Sequence, residues 1–151
     1  MEYLEERRVG FDVGVTRVPI VPAAILFDLR IGDFRVRPDR TMGYRACQAA
    51  TSEVIEEGSV GAGTGATVGK LMGIECAMKG GLGTSSLTLP NGVAVGALVV
   101  VNAFGDVIDP KTGQILAGLR DGPNGLNLID TAAQMRAGVS PRGYSRESTT
   151  L

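Results

Sequence analysis

The run GSVGAGTGATVGK, Gly58 to Lys70, is the stretch of this chain that most invites a chemical reading, a glycine-rich loop closed by a lysine. A phosphate loop of the Walker type needs Gly, four residues, Gly, Lys, then Ser or Thr for magnesium. Gly69 and Lys70 are in place, but Thr64 stands where the first glycine belongs and Leu71 where the hydroxyl belongs. Gly61, Gly63 and Ala66 fit the dinucleotide spacing G-x-G-x-x-[G/A]. That motif must follow a strand, however, and SEVIEEG reads as the end of a helix. No acidic residue sits about 20 positions later to hold a ribose.

The chain contains no histidine. This removes Ser-His-Asp and Cys-His arrangements within it. With only Cys47 and Cys76, well apart in sequence, it also removes an ordinary zinc site. No metal or other cofactor is expected. Acid–base chemistry is left to carboxylates, to Lys70, Lys79 or Lys111, to a tyrosine, or to a free α-amine. Asn102 interrupts the apolar run VVVNAF, where a buried amide must find hydrogen-bond partners.

The surrounding chain is an ordinary one. Its 151 residues suit a single domain, 1–151, able to bury roughly two-thirds of its unfolded surface. A net charge of −1 offers no basic field for nucleic acid. The longest apolar run, VAVGALVVV, falls short of the roughly 18 residues of a membrane span. Met1-Glu2-Tyr3-Leu4-Glu5-Glu6 is acidic where a signal peptide is basic. A cytoplasmic protein with two buried, reduced thiols is the expectation.

The elements that must position these residues follow from pattern and punctuation. EYLEERRVGF reads as the last turns of a helix stopped by Gly10, and the apolar run Ala23 to Leu29 as a buried strand. Asp39 is expected to cap a helix reaching about Ile55, with Met42, Ala46, Ala49 and Ala50 on one face. LGTSSLTL and VAVGALVVVNAF read as strands turning at Pro90-Asn91-Gly92, the second covered on both faces. DVIDPKTGQILAG is a second hairpin, turning at Asp109 to Gly113, and Leu126 to Gly138 an amphipathic helix with a glycine C-cap. Helices and consecutive hairpins in similar measure indicate an α+β fold. Open strand edges lead us to expect pairing with a further segment or another copy.

GAGTGATVGKL, KGGLGTSS, VGALVVVNAFGDVID and the terminal STTL occur here in one order, with VPIVPAAILFDL-x-IGD upstream. Together they resemble the DmpA-type aminopeptidases, a family that includes the nylon-oligomer endohydrolases. The resemblance implies a precursor that cuts itself, a catalytic Ser or Thr at the new N-terminus, and a four-layer αββα sandwich. It implies that 1–151 is an incomplete α segment partnered by a C-terminal β segment, with homo-oligomers and small peptide or amide substrates. Such an enzyme needs no histidine, because the nucleophile's own α-amine, with a pKa of about 7.7 to 8.0, serves as base.

By match to the family's motif at the cut, Thr149 is the nucleophile and Ser148–Thr149 the scissile bond, with residues 139–148 leading to it. Ser148 replaces the usual asparagine, and Thr150 is one residue of register away. Without the resemblance, STTL is simply a polar terminus. Lys70 matches the family's active-site lysine and Asn102 its oxyanion donor. The glycine loop then serves packing and placement near the nucleophile rather than phosphate binding. The alternatives are a non-catalytic subunit acting as an assembly module, and an acetyl-transferring N-terminal nucleophile enzyme.

Overall fold

The computed structural model describes residues 1–143. It divides into two compact units, one of Met1–Ile25 with Asp33–Val54, the other of Leu26–Gly32 with the chain from Ile55 onward. Both are built of short helices and small antiparallel sheets, as an α+β chain should be.

The first unit carries helix α1 (Glu2–Glu6), the two-residue strands β1 (Phe11–Asp12) and β2 (Arg17–Val18), and helix α2 (Arg40–Ala49). Tyr3 and Tyr44 meet edge to face at 5.5 Å, the Arg7 guanidinium stacks 3.6 Å over the Tyr3 ring, and the Tyr44 hydroxyl donates to Glu6. Arg40 Nε donates to Glu2 at 2.6 Å. These exposed contacts join the two helices with modest energy, since surface ion pairs contribute about 0–1 kcal/mol each.

Asp39 caps α2 as expected, accepting from the Met42 amide at 2.7 Å. The helix stops at Ala49, six residues short of Ile55. Ala50 leaves the helical region, and the Thr51 hydroxyl captures the Glu53 amide, offering the backbone a rival to the helix. The half-buried side chains of α2 are Tyr44 and Cys47, whereas Met42, Ala46 and Ala49 are exposed.

The second unit contains β3 (Thr67–Val68), β4 (Met78–Lys79), β5 (Gly81–Thr88), β6 (Ala94–Val101), β7 (Val107–Ile108), β8 (Ile115–Ala117), β9 (Leu119–Arg120), β10 (Leu128–Ile129) and helix α3 (Thr131–Arg136). The pairs β3–β4, β5–β6, β7–β8 and β9–β10 are all antiparallel. The long hairpin runs in unbroken register from Gly81↔Val101 to Thr88↔Ala94, and Gly92 at its turn has φ +83°. The second hairpin turns where the Asp109 carboxylate accepts from the Lys111 amide and the Thr112 hydroxyl.

Three further expectations change. Ala23 to Leu29 forms no strand: Pro19 and Pro22 remove ladder donors before it, and no described strand pairs with it. Strand β6 is exposed from Ala94 to Val99 among the described residues, not covered on both faces. The helix expected from Leu126 begins only at Thr131. Leu128–Ile129 pairs instead with β9, and Asp130 becomes the N-cap, accepting from Ala133 at 2.8 Å.

The core of this unit is small and centred on the glycine loop. Every residue from Gly65 to Leu71 is buried, and Leu71, Cys76 and Leu119 form a cluster flanked by Met72, Phe104, Ile129 and Val139.

Candidate active site

Two segments of the second unit make the site. One is Ala66–Leu71, built on β3; the other is 102–106, the chain leaving β6. Backbone hydrogen bonds lace them together, Gly69 N to Gly105 O and Lys70 N to Phe104 O, each 2.8 Å. On the far side Gly80 N donates to Ala66 O at 2.8 Å.

Such close approach explains the glycines. Gly69 has φ +70°, and a Cβ there would lie 2.0 Å from the Leu119 nitrogen. A Cβ on Gly63 would lie 2.6 Å from the Leu82 nitrogen, and one on Gly65 would overlap the Asp28 carboxylate. The loop is thus a packing element: its glycines let three stretches of chain touch backbone to backbone. Its surroundings are not those of a dinucleotide motif. SEVIEEG is neither helix nor strand, and Gly58 makes an isolated bridge to Leu82.

Lys70 emerges from this packed segment only 7% exposed. Its ammonium donates to Asn102 Oδ1 at 2.7 Å, and the Thr67 amide donates to the same oxygen at 3.1 Å. Asn102 Nδ2 donates to the Phe27 carbonyl at 3.1 Å. The chemistry of these partners fixes the amide's orientation, because a flip would set Nδ2 against two donors and Oδ1 against a carbonyl. One of the two Nδ2 hydrogens remains without a partner among the described residues. Asn102, read in the sequence as an interruption inside a strand, is the first residue after β6.

Burial lowers the Lys70 pKa from its ordinary value, because the charged ammonium loses hydration. No ion pair offsets this among the described residues. A buried cation bonded to a neutral amide is an expensive arrangement for a fold and a useful one for catalysis. It places a hydrogen-bond donor, on an ammonium that gives up its proton more readily than an exposed lysine, beside an amide N–H that can face an oxyanion.

The structure therefore brings Lys70 and Asn102 together. Thr149, with Ser148, Thr150 and the second half of 139–148, lies outside the described residues. The last described stretch is tied to the site's own segment, with Arg142 N donating to Leu71 O at 2.9 Å and Arg30 to the Gly143 carbonyl. A cavity of about 700 Å³ in the first unit, lined by residues such as Glu5, Arg8, Thr16 and Arg17, includes neither Lys70 nor Asn102. Lys79 donates to the Thr64 carbonyl and Lys111 lies in a turn.

Sequence reasoning missed Thr67 and Phe27, which contribute backbone atoms, and Asp106, which binds Leu119 and Thr131. No sequence signal separates Asp106 from the turn-forming Asp109 three residues later.

Comparison with known proteins agrees in direction. An uncharacterized aminopeptidase of Mycobacterium leprae is 48% identical over 120 residues, covering 75% of this chain and 31% of that protein. Uncharacterized aminopeptidases of Mycobacterium bovis and Mycobacterium tuberculosis are each 50% identical over 113 residues, covering 75% of this chain and 30% of theirs. The chain spans about a third of the length of the curated relatives it matches. The family model described as peptidase family S58 matches residues 1–124, a span that takes in Lys70 and Asn102 and ends before Thr149. This chain belongs to peptidase family S58.

Proposed function

We propose that the chain is part of a self-processing amide-bond hydrolase of the aminopeptidase type, with Thr149 as nucleophile. The observation that carries the reading is the buried Lys70 ammonium held on the Asn102 side chain, inside the family-matched span. Thr149 lies seven positions after Arg142, enough to reach no more than about 25 Å. Arg142 is bonded to the residue next to Lys70, so this reach allows Thr149 to join the pair.

In maturation the Thr149 hydroxyl attacks the Ser148 carbonyl carbon through a five-membered ring. The amide between them breaks as an ester forms on Thr149 Oγ, and the amide nitrogen leaves as the Thr149 α-amine. Water then hydrolyses the ester, releasing a carboxylate on Ser148 and restoring the hydroxyl. In turnover the α-amine takes the hydroxyl's proton as Oγ attacks the substrate amide. A nearby Lys70 ammonium favours the amine's neutral, basic form. The second Asn102 Nδ2 hydrogen, the one not bonded to Phe27, stabilises the oxyanion, an interaction worth about 10²–10³ in rate.

The substrates would be amides next to a free amine: small peptides, amino-acid amides or short ω-amino-acid oligomers. A C-terminal β segment of the precursor, and further copies, would complete a four-layer αββα sandwich over the exposed β5–β6 hairpin. In the full-length protein, Thr149→Ala should leave one uncut chain by intact mass and no turnover of amino-acid amides or aminohexanoate oligomers. Sequencing of the released piece should begin at Thr149. A start at Thr150, normal cutting by Thr149→Ala, or a wild type that turns over none of these substrates would overturn the reading.

A further inference from the structure

Asp106 is half-buried and spends its carboxylate inside the second unit. Oδ1 accepts from the Leu119 amide at 2.9 Å and from the Thr131 hydroxyl at 2.6 Å, and Oδ2 accepts from the Thr131 amide at 2.7 Å. Thr131 is itself buried, at the first turn of α3. Gly118 is pressed against the same carboxylate, so closely that a Cβ on it would lie 2.2 Å from Oδ1.

Gly69 rests against the same Gly118–Leu119 peptide, since a Cβ on it would lie 2.0 Å from the Leu119 nitrogen and 2.1 Å from the Gly118 carbonyl carbon. That one peptide therefore touches both the Asp106 carboxylate and the residue immediately before Lys70. Asp106 also follows Gly105, whose carbonyl receives the Gly69 amide. The segment 102–106 thus grips the lysine segment at both ends. Asn102 takes the Lys70 ammonium and the Thr67 amide, while Asp106 fixes the peptide beneath Gly69.

We propose that Asp106 is a positioning residue of the active site, setting the reach of Lys70 to Asn102 by clamping the Gly118–Leu119 peptide under Gly69. It touches neither the ammonium nor a substrate, and acts only through backbone packing. Removing it frees the Leu119 amide and leaves the turn before Lys70 without a floor. Misplacement by about 1 Å at a catalytic group can lower a rate on the order of 10²-fold.

The inference rests on the proposed function for its kinetic readout, so the experiment also measures Lys70 directly. Asp106→Ala, Asp106→Asn and Asp130→Ala are made in the full-length protein, at a temperature where all remain folded. Asp130 caps the same helix through the Ala133 amide but makes no described contact with Gly118 or Leu119, so it reports helix damage alone. The Lys70 ammonium is titrated by nitrogen NMR, alongside kcat and KM on an amino-acid amide. Asp106→Ala should lower kcat at least about 10-fold with KM little changed, and move the Lys70 titration towards its ordinary value. Asp106→Asn, which keeps an acceptor for Leu119, should fall between it and the wild type. Asp130→Ala should change neither readout.

Equal kinetic losses in Asp106→Ala and Asp130→Ala, with the Lys70 titration unmoved, would assign Asp106 a purely structural role. If Asp106→Ala does not fold, Asp106→Asn decides: wild-type kcat and an unmoved titration overturn the inference. A wild type without amide hydrolysis would sink the proposed function, while the Lys70 titration would still judge Asp106.

Discussion

The segment Gly65–Leu71 and strand β6 are of similar length and both rich in small and apolar residues, yet they meet opposite fates. The first is buried at every position; the second is exposed from Ala94 to Val99. Backbone pairing does not explain the difference, because β6 has a complete ladder to β5 along its whole length. The difference lies in what covers each. Around Gly65–Leu71 neighbouring backbone closes in from Gly80, Phe104, Gly105 and Leu119, and the Asp28 carboxylate packs on Gly65. Among the described residues, strand β6 has one partner strand and open faces. Burial here follows from how closely chains can approach more than from the hydrophobicity of the side chains.

The sharpest way to break the contrast is at Gly69. An alanine there must adopt a left-handed conformation and place its Cβ 2.0 Å from the Leu119 nitrogen. Strain and overpacking together should destabilise by about 3 kcal/mol or more. Denaturant unfolding of Gly69→Ala measures this. A loss under about 1 kcal/mol would show that the loop yields easily and does not fix Lys70.

A smaller effect would sharpen the other half. Val99 is 53% exposed among the described residues. If further chain covers the hairpin in the full-length protein, Val99→Thr should cost about 1–2 kcal/mol, as for an apolar side chain removed from a packed interior. A cost within about 0.5 kcal/mol would leave the hairpin as surface and the layered sandwich without that face.

What could be read from the sequence was what is locally determined. Both hairpin turns were legible because Pro90-Asn91-Gly92 and Asp109 to Gly113 carry their own turn chemistry. The Asp39 cap was legible for the same reason, and Asp130 could have been read in the same way. Lys70 and Asn102 were both singled out from the sequence, but nothing in a spacing of 32 residues says that they touch. The clamp by Asp106 was invisible, since its three partners belong to Leu119 and Thr131, distant in sequence and unremarkable in type. Ala23 to Leu29 misled because apolar composition signals a wish for burial without supplying the partner that provides it. The end of α2 misled because a hydroxyl competing for one amide outweighs several residues of fair helix propensity.

The central claim is that Lys70 is held buried for chemistry and at the expense of the fold. Its folded pKa lies below the ordinary value of 10.5, so between the two the unfolded chain binds the proton and the folded one does not. Stability contributed by Lys70 therefore rises with pH across that window and is lowest below it. The direct measurement compares wild type and Lys70→Met in the full-length protein, by denaturant unfolding from pH 7 to pH 10.5 and by amide hydrolysis. Lys70→Met should be at least as stable as wild type at pH 7, with an advantage that shrinks as the pH approaches 10.5, and should be inactive. A variant that is less stable at pH 7, or that keeps wild-type hydrolysis, would contradict the account.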